Sequence, residues 1–207
     1  MILTVDVISD VICPWCFIGK RRLEKAIAAQ QQEVRVRWLP FQLNPAMFKE
    51  GISRREYRTK KFGSWERSLE LDARVIEVGK NEGIDFAFDN IERTLNTLDA
   101  HRLIWLADKE GVQDAVVEAL FRAYFTEGRD ISKRQTLIDV VAEPGLDRAK
   151  AEDVLNGGDG LEAMKEAEEL SRRFRVEGVP YFIIDGRITL SGAQQPDAIL
   201  DAFRQAT

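Results

Sequence analysis

Residues 5–27 read VDVISDVICPWCFIGKRRLEKAI, and this stretch decides the fold. Apolar and polar residues alternate over residues 2–8, which is typical of a β-strand with one buried face. Pro14 then suits the first turn of a helix, where its missing N–H group has no hydrogen bond to lose, and helical spacing continues to about residue 31. The stretch therefore predicts a strand followed directly by a helix, with Cys13 at the helix N-cap.

Further strand patterns lie near both ends of the chain. Residues 34–39 alternate, and their polar-leaning face is typical of a strand at a sheet edge. The strand pattern returns at residues 181–184, an Asp-Gly pair at 185–186 predicts a hairpin turn, and a return strand follows at 188–190. Pro196 opens a last helix. The two ends thus predict a βαβ unit and a ββα unit that share one sheet.

Residues 44–174 carry a helical pattern, with no alternating strand long enough to extend that sheet. Apolar stripes at helical spacing, which normally face a core, mark its helices: Trp65, Leu69, Ala73 and Ile76; Phe121, Tyr124 and Phe125; Leu161, Met164, Leu170 and Phe174. The predicted fold class is α/β. A four-stranded mixed sheet is built from residues 1–43 and 175–207, and an all-helical insertion occupies residues 44–174.

Length, charge and apolar runs limit the classes of partner. The 207 residues suffice for one large domain or for a domain with an insertion. The 30 Lys and Arg residues against 35 Asp and Glu residues give a net charge of −5, the wrong sign for a nucleic-acid binder. The longest apolar run, Val11–Gly19, is about half the ~18 residues of a membrane span, and residues 1–12 lack the basic residues of a signal peptide. We therefore expect a cytoplasmic protein with no nucleic-acid or membrane partner.

The chain has two cysteines, Cys13 and Cys16, and a single histidine. A disulfide between them would close so short a loop that the chain-entropy model gives only about 2 kcal/mol of stabilisation. Closed zinc sites generally use four Cys and His ligands, more than this sequence holds, so no metal site is expected. A reducing cytosol also disfavours a structural disulfide, and these points together favour redox chemistry at the CPWC motif.

The placement of the two cysteines predicts different roles for them. A thiolate is the attacking species in thiol–disulfide exchange, and helix N-termini stabilise thiolates through free N–H groups and the helix dipole. Cys13 has that placement, which makes it the expected nucleophile. Cys16 lies one turn further into the helix and is expected to be more covered, as a resolving thiol would be. Two inert buried cysteines are the alternative interpretation.

Three blocks of the sequence together resemble the thioredoxin-fold DsbA family, and in particular its FrnE-like branch. They are residues 5–27, residues 96–107 (NTLDAHRLIWLA) and residues 178–200 (GVPYFIIDGRITLSGAQQPDAIL). This branch is related to 2-hydroxychromene-2-carboxylate isomerases and kappa-class glutathione transferases, which usually carry Ser where this sequence has Cys13 and lack a resolving cysteine. The resemblance therefore implies a thioredoxin fold and dithiol exchange.

The resemblance also implies roles for individual residues. It makes Cys13 the nucleophile, Cys16 the resolving thiol and Pro180 a cis-proline that faces them. Val179 would offer backbone hydrogen bonds to a bound peptide or glutathione, and Trp15 would join it in binding substrate. A trans proline that merely begins a strand is the alternative that the frequency of cis bonds alone favours.

The same family pattern adds five candidate substrate-binding residues. It places Asn96, His101 and Arg102 near the cleft between the sheet and the insertion. It places Ser191 and Gly192 along the ligand groove, although these two could simply end a strand. For His101 the alternative is a packed, hydrogen-bonded residue, because it shares a helix face with apolar neighbours.

Two further features have a functional and a plain structural interpretation. One is a basic run made of Arg54, Arg55, Arg58, Lys60 and Lys61. This run could attract the carboxylates of glutathione, but a solvated helix face is the commoner explanation for such a run. The GGDG stretch at 157–160 lacks the G-x-G-x-x-G spacing and a preceding strand. It is therefore interpreted as a connector between helices.

The sequence predicts a thiol–disulfide oxidoreductase in which substrate exchanges with Cys13 through a mixed disulfide that Cys16 resolves. Its partners would be protein or glutathione thiols and disulfides. No tightly bound cofactor is expected, glutathione is a candidate co-substrate, and a homodimer is the assembly that the family suggests. One rival is a glutathione-dependent isomerase or transferase, in which Cys13 would position the glutathione thiol. A second rival is a non-enzymatic holdase that uses the groove between the sheet and the insertion.

Overall fold

Strands and helices at both ends of the chain follow the order that the sequence predicts. The computed structural model describes residues 2–206. Its strands are β1 (Leu3–Ser9), β2 (Val34–Pro40), β3 (Ile52–Ser53), β4 (Arg93–Thr94), β5 (Tyr181–Ile184) and β6 (Ile188–Ser191). Its helices are α1 (Pro14–Ala28), α2 (Arg54–Phe62), α3 (Trp65–Asn81), α4 (Leu98–Lys109), α5 (Gln113–Phe125), α6 (Arg134–Ala142), α7 (Arg148–Asn156), α8 (Leu161–Arg173) and α9 (Pro196–Ala206).

The main sheet has four strands in the order β2-β1-β5-β6. The interior strand β1 runs parallel to β2 and antiparallel to β5, and β5 pairs with β6 as the predicted hairpin. The hairpin turn has positive φ at Asp185 (48°) and Gly186 (66°), a conformation that an Asp-Gly pair favours. The predicted mixed sheet is therefore confirmed, and β2 lies at its edge.

The helix that carries the cysteines shares a hydrophobic core with the insertion. Phe17 of α1 is buried and stacks on Phe121 of α5, with ring centroids 5.1 Å apart. Phe125 of α5 also stacks on the Phe17 ring, with ring centroids 6.3 Å apart. The aromatic stripe of α5 therefore lies in the core as predicted, with Phe121, Tyr124 and Phe125 all buried.

Helix α3 forms where its apolar stripe predicts, but it turns a different face inward. Leu69 and Ile76 of that stripe are 43% and 37% exposed, whereas Ser68 and Asp72 are buried. The predicted inward face is therefore wrong. The reason is an ion pair in the interior, where the Asp72 carboxylate binds Arg54 of α2. A charge buried with its partner has fixed the orientation of this helix, since either charge alone would be costly to bury.

The insertion is not wholly helical, which departs from the expectation. Strands β3 and β4 form a short antiparallel ladder that is separate from the main sheet. Strands of two residues are too short to show an alternating pattern, so the sequence pattern could not reveal them. The ladder fixes the start of α2, where the Arg54 N–H donates to the Glu92 carbonyl (2.8 Å).

Candidate active site

Cys13 lies where the chain leaves β1 and enters α1. Its N–H donates to the Asp10 carbonyl (3.0 Å), and its carbonyl accepts from the Cys16 N–H (3.0 Å). Its extended backbone (φ −96°, ψ 111°) makes it the N-cap of α1, with Pro14 in the first turn. This is the placement that the sequence predicts, and it puts Cys13 at the positive end of the helix dipole.

Cys16 lies one turn further into α1 and is less accessible than Cys13. It is fully buried, whereas Cys13 is 5% exposed. Burial raises the pKa of the Cys16 thiol, and the hydrogen bond and charge of the neighbouring Cys13 raise it further. Both cysteines are free thiols. The Cys16 thiol is therefore harder to ionise than a cysteine in water.

The segment around Pro180 faces the cysteines. The Val179–Pro180 peptide bond is cis, as the resemblance implied. The Val179 carbonyl lies 3.5 Å from the Cys13 Sγ and accepts a hydrogen bond from that thiol. Gly192, which follows Ser191 at the end of β6, donates its N–H to the Pro180 carbonyl (2.8 Å). The structure therefore brings four of the predicted site residues together, and Val179 contacts Cys13. The four are Val179, Pro180, Ser191 and Gly192.

Gly19 is an unpredicted contact of Pro180. A Cβ atom at this position would lie 2.8 Å from the Pro180 Cγ and 3.3 Å from the Phe182 Cζ. The first distance is shorter than real carbon contacts, so only a glycine lets α1 approach Pro180 this closely. Its signal in the sequence is a glycine inside a helical pattern, three positions after Cys16.

A cavity of about 430 Å³ opens between the cysteine motif and helices α2 and α3. Cys13 lines it together with Trp15, whose side chain is 40% exposed. Among residues 2–206, the charged side chains that line it are Arg54, Arg58, Lys61, Arg74 and Asp72. Cationic groups therefore outnumber anionic groups along the cavity that Cys13 lines.

Two of these arginines share one carboxylate, in what we call the Arg54–Asp72–Arg58 cluster. The Asp72 Oδ2 binds the Arg54 Nη2 (2.6 Å), and the Asp72 Oδ1 binds the Arg58 Nη2 (2.6 Å). The solvated-face interpretation of the basic run is therefore wrong for Arg54, which is buried, and for Arg58, which is half-buried. It fits Arg55, Lys60 and Lys61, which are exposed, although Lys61 also lines the cavity. The charge pattern alone could not reveal this, because the partner carboxylate lies on the next helix.

Asn96 and Arg102 hold the insertion together. The Asn96 Oδ1 accepts from the Leu98 N–H at the start of α4 (2.9 Å). Arg102 is buried, and its Nη2 donates to the Gly157 carbonyl (2.7 Å), which anchors the predicted connector after α7. Neither side chain is among the described residues that line the cavity beside Cys13. The structure therefore does not bring these two candidates to that cavity.

His101 is buried beside a second buried polar side chain, Asp10. The His101 Nε2 lies 3.3 Å from the Asp10 Oδ1 and 3.1 Å from the Phe41 carbonyl. The other carboxylate oxygen of Asp10 accepts from the Leu43 N–H (2.7 Å). His101 is thus a packed, hydrogen-bonded residue that reaches the Cys13 turn through Asp10. Asp10 itself is unpredicted, although a carboxylate three residues before Cys13, among apolar neighbours, is its signal.

Within residues 2–206, no group of three or more His, Cys, Asp or Glu side chains is arranged to hold a metal ion. No helix in that part of the chain is long and apolar enough to cross a membrane. The reactive groups that the fold does bring together are the two thiols of Cys13 and Cys16, which lie one helical turn apart at the start of α1.

A cysteine pair at a helix start, opposite a cis-proline that leads into a hairpin of a mixed sheet, defines a thioredoxin-fold protein of the oxidoreductase type. The chain belongs to the DSBA-like thioredoxin domain family, whose model matches residues 4–204. The match spans both the sheet and the insertion, so the family resemblance seen in the sequence is confirmed.

Known proteins from three bacteria are similar to this chain over almost its whole length. The uncharacterized protein YwbO of Bacillus subtilis is 26% identical over 204 residues, which cover 98% of this chain and 96% of YwbO. A probable DsbA oxidoreductase from Streptomyces coelicolor is 29% identical, with a TM-score of 0.92 and coverage of 99% of this chain and 89% of that one. The cytosolic disulfide reductase DsbM of Pseudomonas aeruginosa, solved with GSH, shares the fold at 22% identity, with a TM-score of 0.67 and coverage of 98% and 99%.

Proposed function

We propose that the protein is a thiol–disulfide oxidoreductase that uses the CPWC dithiol of Cys13 and Cys16. In the reducing direction, the Cys13 thiolate attacks one sulfur of a substrate disulfide, forms a mixed disulfide and releases the other sulfur as a thiolate that takes up a proton. Cys16 then loses its proton and attacks the Cys13 sulfur, which forms the Cys13–Cys16 disulfide and releases the second substrate thiol. Two electrons pass to the substrate, and the reverse sequence oxidises a substrate dithiol.

The unequal burial of the two sulfurs carries this proposal. Cys13 lines the cavity, whereas Cys16 is fully buried and has its pKa raised by that burial. A substrate can therefore meet Cys13 first, and Cys16 acts only on a sulfur that is already joined to Cys13. A nucleophile and a resolving thiol require this order of events.

Disulfide reduction by the wild type and by two serine variants tests the proposal. We expect Cys13→Ser to lose the reduction of both insulin and 5,5′-dithiobis-(2-nitrobenzoate). We expect Cys16→Ser to complete the first attack and then stop, because no thiol resolves the mixed disulfide. A Cys13→Ser protein that still reduces insulin would overturn the proposal. Loss of reduction with survival of a glutathione-dependent isomerisation would favour the isomerase rival.

Glutathione is the co-substrate that we propose for this site. The support is the excess of cationic side chains around Cys13, since glutathione carries two carboxylates. The fold neighbour DsbM is itself described with GSH. Lys61 lines the cavity and Lys60, its neighbour on α2, points to solvent, so the two lysines form a matched pair. We expect Lys61→Gln to raise the KM for glutathione disulfide by about threefold or more, and Lys60→Gln to leave it unchanged. Equal KM values in the two variants would contradict the assignment.

The cytoplasmic location and the homodimer expected from the resemblance stay predictions. A cytoplasmic site suits a dithiol that must be kept reduced by the glutathione or thioredoxin pools. Cell fractionation tests the location. Sedimentation of the purified protein over a range of concentrations tests the assembly, and a single monomeric species at every concentration would contradict the homodimer.

A further inference from the structure

A second cavity, of about 740 Å³, lies between α8 and the segment that follows β2. We call it the α8 groove. Its walls are largely apolar and include Phe41, Leu161 and Met164. This volume is within the range of about 300–1,000 Å³ that ligand-binding clefts commonly have. The mechanism proposed above does not use this groove.

A buried hydroxyl without a partner lines the α8 groove. Ser171 is 6% exposed and lines the groove, and its Oγ makes no hydrogen bond. Among residues 2–206, no other buried side-chain nitrogen or oxygen lacks a hydrogen-bond partner. Buried hydroxyls almost always have a partner, so this oxygen points to a bound group that supplies one.

Helix α8 leaves apolar surface uncovered toward the groove. Of its apolar stripe, Leu161 is 38% exposed and Met164 is only half-buried. The buried positions of the helix are Ala167 and Ser171, which are both small. Leu161 and Met164 of this stripe therefore form part of a groove wall, and their burial by an apolar group would be favourable.

The rim of the α8 groove carries charges of both signs. Arg172 pairs with Glu168 (2.8 Å) on α8 itself, and Arg175 and Glu177 follow along the rim. An apolar floor inside a mixed polar rim is the usual anatomy of a surface that binds a polypeptide. A strongly charged small ligand would instead need a rim of one sign.

The α8 groove ends close to the chain segment that contacts the reactive sulfur. Glu177, at its end, is two residues before Val179, whose carbonyl lies 3.5 Å from the Cys13 Sγ. Two residues of extended chain span at most about 7 Å. On the opposite wall, Phe41 belongs to the segment that the Asp10–His101 pair holds beside the Cys13 turn. A polypeptide joined to Cys13 therefore needs only a few residues to reach the groove.

We propose that the α8 groove binds a large apolar side chain of the same polypeptide whose cysteine reacts at Cys13. In the bound state the Ser171 hydroxyl hydrogen-bonds to the backbone of that polypeptide. This proposal rests on the proposed oxidoreductase function and narrows its substrates to extended polypeptides with an apolar residue near the cysteine.

Symmetric disulfides of two short peptides test the proposal. In one series of peptides, a single Phe is placed two to five residues before or after the cysteine. In the matched series, Ser replaces that Phe. We expect the wild type to reduce the best Phe peptide about tenfold faster, in kcat/KM, than the Ser peptide. Reduction of 5,5′-dithiobis-(2-nitrobenzoate) is measured alongside, because this small disulfide cannot reach from Cys13 into the groove.

Three variants locate the effect. Ser171→Leu fills the groove and breaks no hydrogen bond. Leu161→Gln removes apolar surface from a position that is already exposed. We expect each variant to reduce the Phe peptide and the Ser peptide at nearly equal rates. Glu169→Leu adds the same leucine to the exposed side of α8 and should keep the preference for the Phe peptide. A preference that persists in both groove variants would overturn the proposal, as would equal rates for both peptides in a wild type that reduces the small disulfide. Failure to reduce the small disulfide would instead defeat the oxidoreductase function itself.

Discussion

The two walls of the cavity beside Cys13 are held in place by different physical means. On the cysteine wall, α1 touches Pro180 so closely that a Cβ atom on Gly19 would not fit. On the facing wall, α2 and α3 are joined by the Arg54–Asp72–Arg58 cluster. The cysteine wall therefore depends on close packing, whereas the facing wall depends on paired charge. The facing wall should therefore be destabilised by loss of a charge, and the cysteine wall by added side-chain volume.

Loss of the Asp72 charge is expected to have the largest effect. Asp72→Asn leaves Arg54, whose side chain is 7% exposed, without its anionic partner in the interior. We expect the free energy of unfolding to fall by about 3 kcal/mol or more, as measured by urea denaturation. Asp6→Asn is the matched control, because Asp6 binds Arg37 through two exposed hydrogen bonds between β1 and the edge strand β2. We expect this variant to lower the free energy of unfolding by less than about 1 kcal/mol. Equal losses would show that burial of the cluster does not stabilise the wall.

A methyl group added to the cysteine wall is expected to have the next largest effect. Gly19→Ala places its Cβ against the Pro180 Cγ, and overpacking of this kind costs about 1–3 kcal/mol, offset by about 1 kcal/mol of helix propensity. We expect a net loss of up to about 2 kcal/mol in thermal or urea unfolding, with slower disulfide reduction because Pro180 moves. Gly158→Ala is the control, since a Cβ there would meet nothing closer than 3.8 Å. Unchanged activity in Gly19→Ala would contradict the role of this contact.

The smallest expected effect is a dependence of stability on pH that comes from Cys16. An unfolded chain releases a cysteine proton near pH ~8.5, whereas burial raises the pKa of Cys16 in the folded protein. Above that pH the folded state holds more protons than the unfolded state, so its stability falls as the pH rises, by at most ~1.4 kcal/mol per pH unit. Urea unfolding of the reduced protein at pH 8 and pH 9.5 should show this loss, and Cys16→Ala should lack it. A Cys16→Ala variant with the same pH slope would assign the loss to another group.

The cysteine wall could be predicted from the sequence because its signals are local. The strand before Cys13, the proline after it and the Asp-Gly hairpin after Pro180 each depend on a few neighbouring residues. The family resemblance supplied the pairing of Pro180 with the cysteines, which no local pattern contains. Gly19 has only the weak signal of a glycine within a helix.

The facing wall could not be predicted in the same way, because it is built by contacts between distant residues. Arg54 and Asp72 are 18 residues apart, and neither the basic run nor the apolar stripe of α3 shows that they pair. Asn96 and Arg102 matched the family pattern, but the backbone carbonyls and N–H groups that they bind become visible only in the folded chain. The position of a charged side chain thus depends on partners that a periodic pattern does not record.

Mass spectrometry of trapped adducts can show directly whether Cys13 is the nucleophile and Cys16 the resolving thiol. Cys16→Ser and Cys13→Ser proteins are each exposed to a peptide disulfide and then mapped for the modified residue. We predict that Cys16→Ser gains one peptide through a mixed disulfide at Cys13, whereas Cys13→Ser gains none because its remaining thiol is fully buried. An adduct at Cys16 in Cys13→Ser, formed as fast as the adduct at Cys13, would contradict the assignment of nucleophile and resolving thiol.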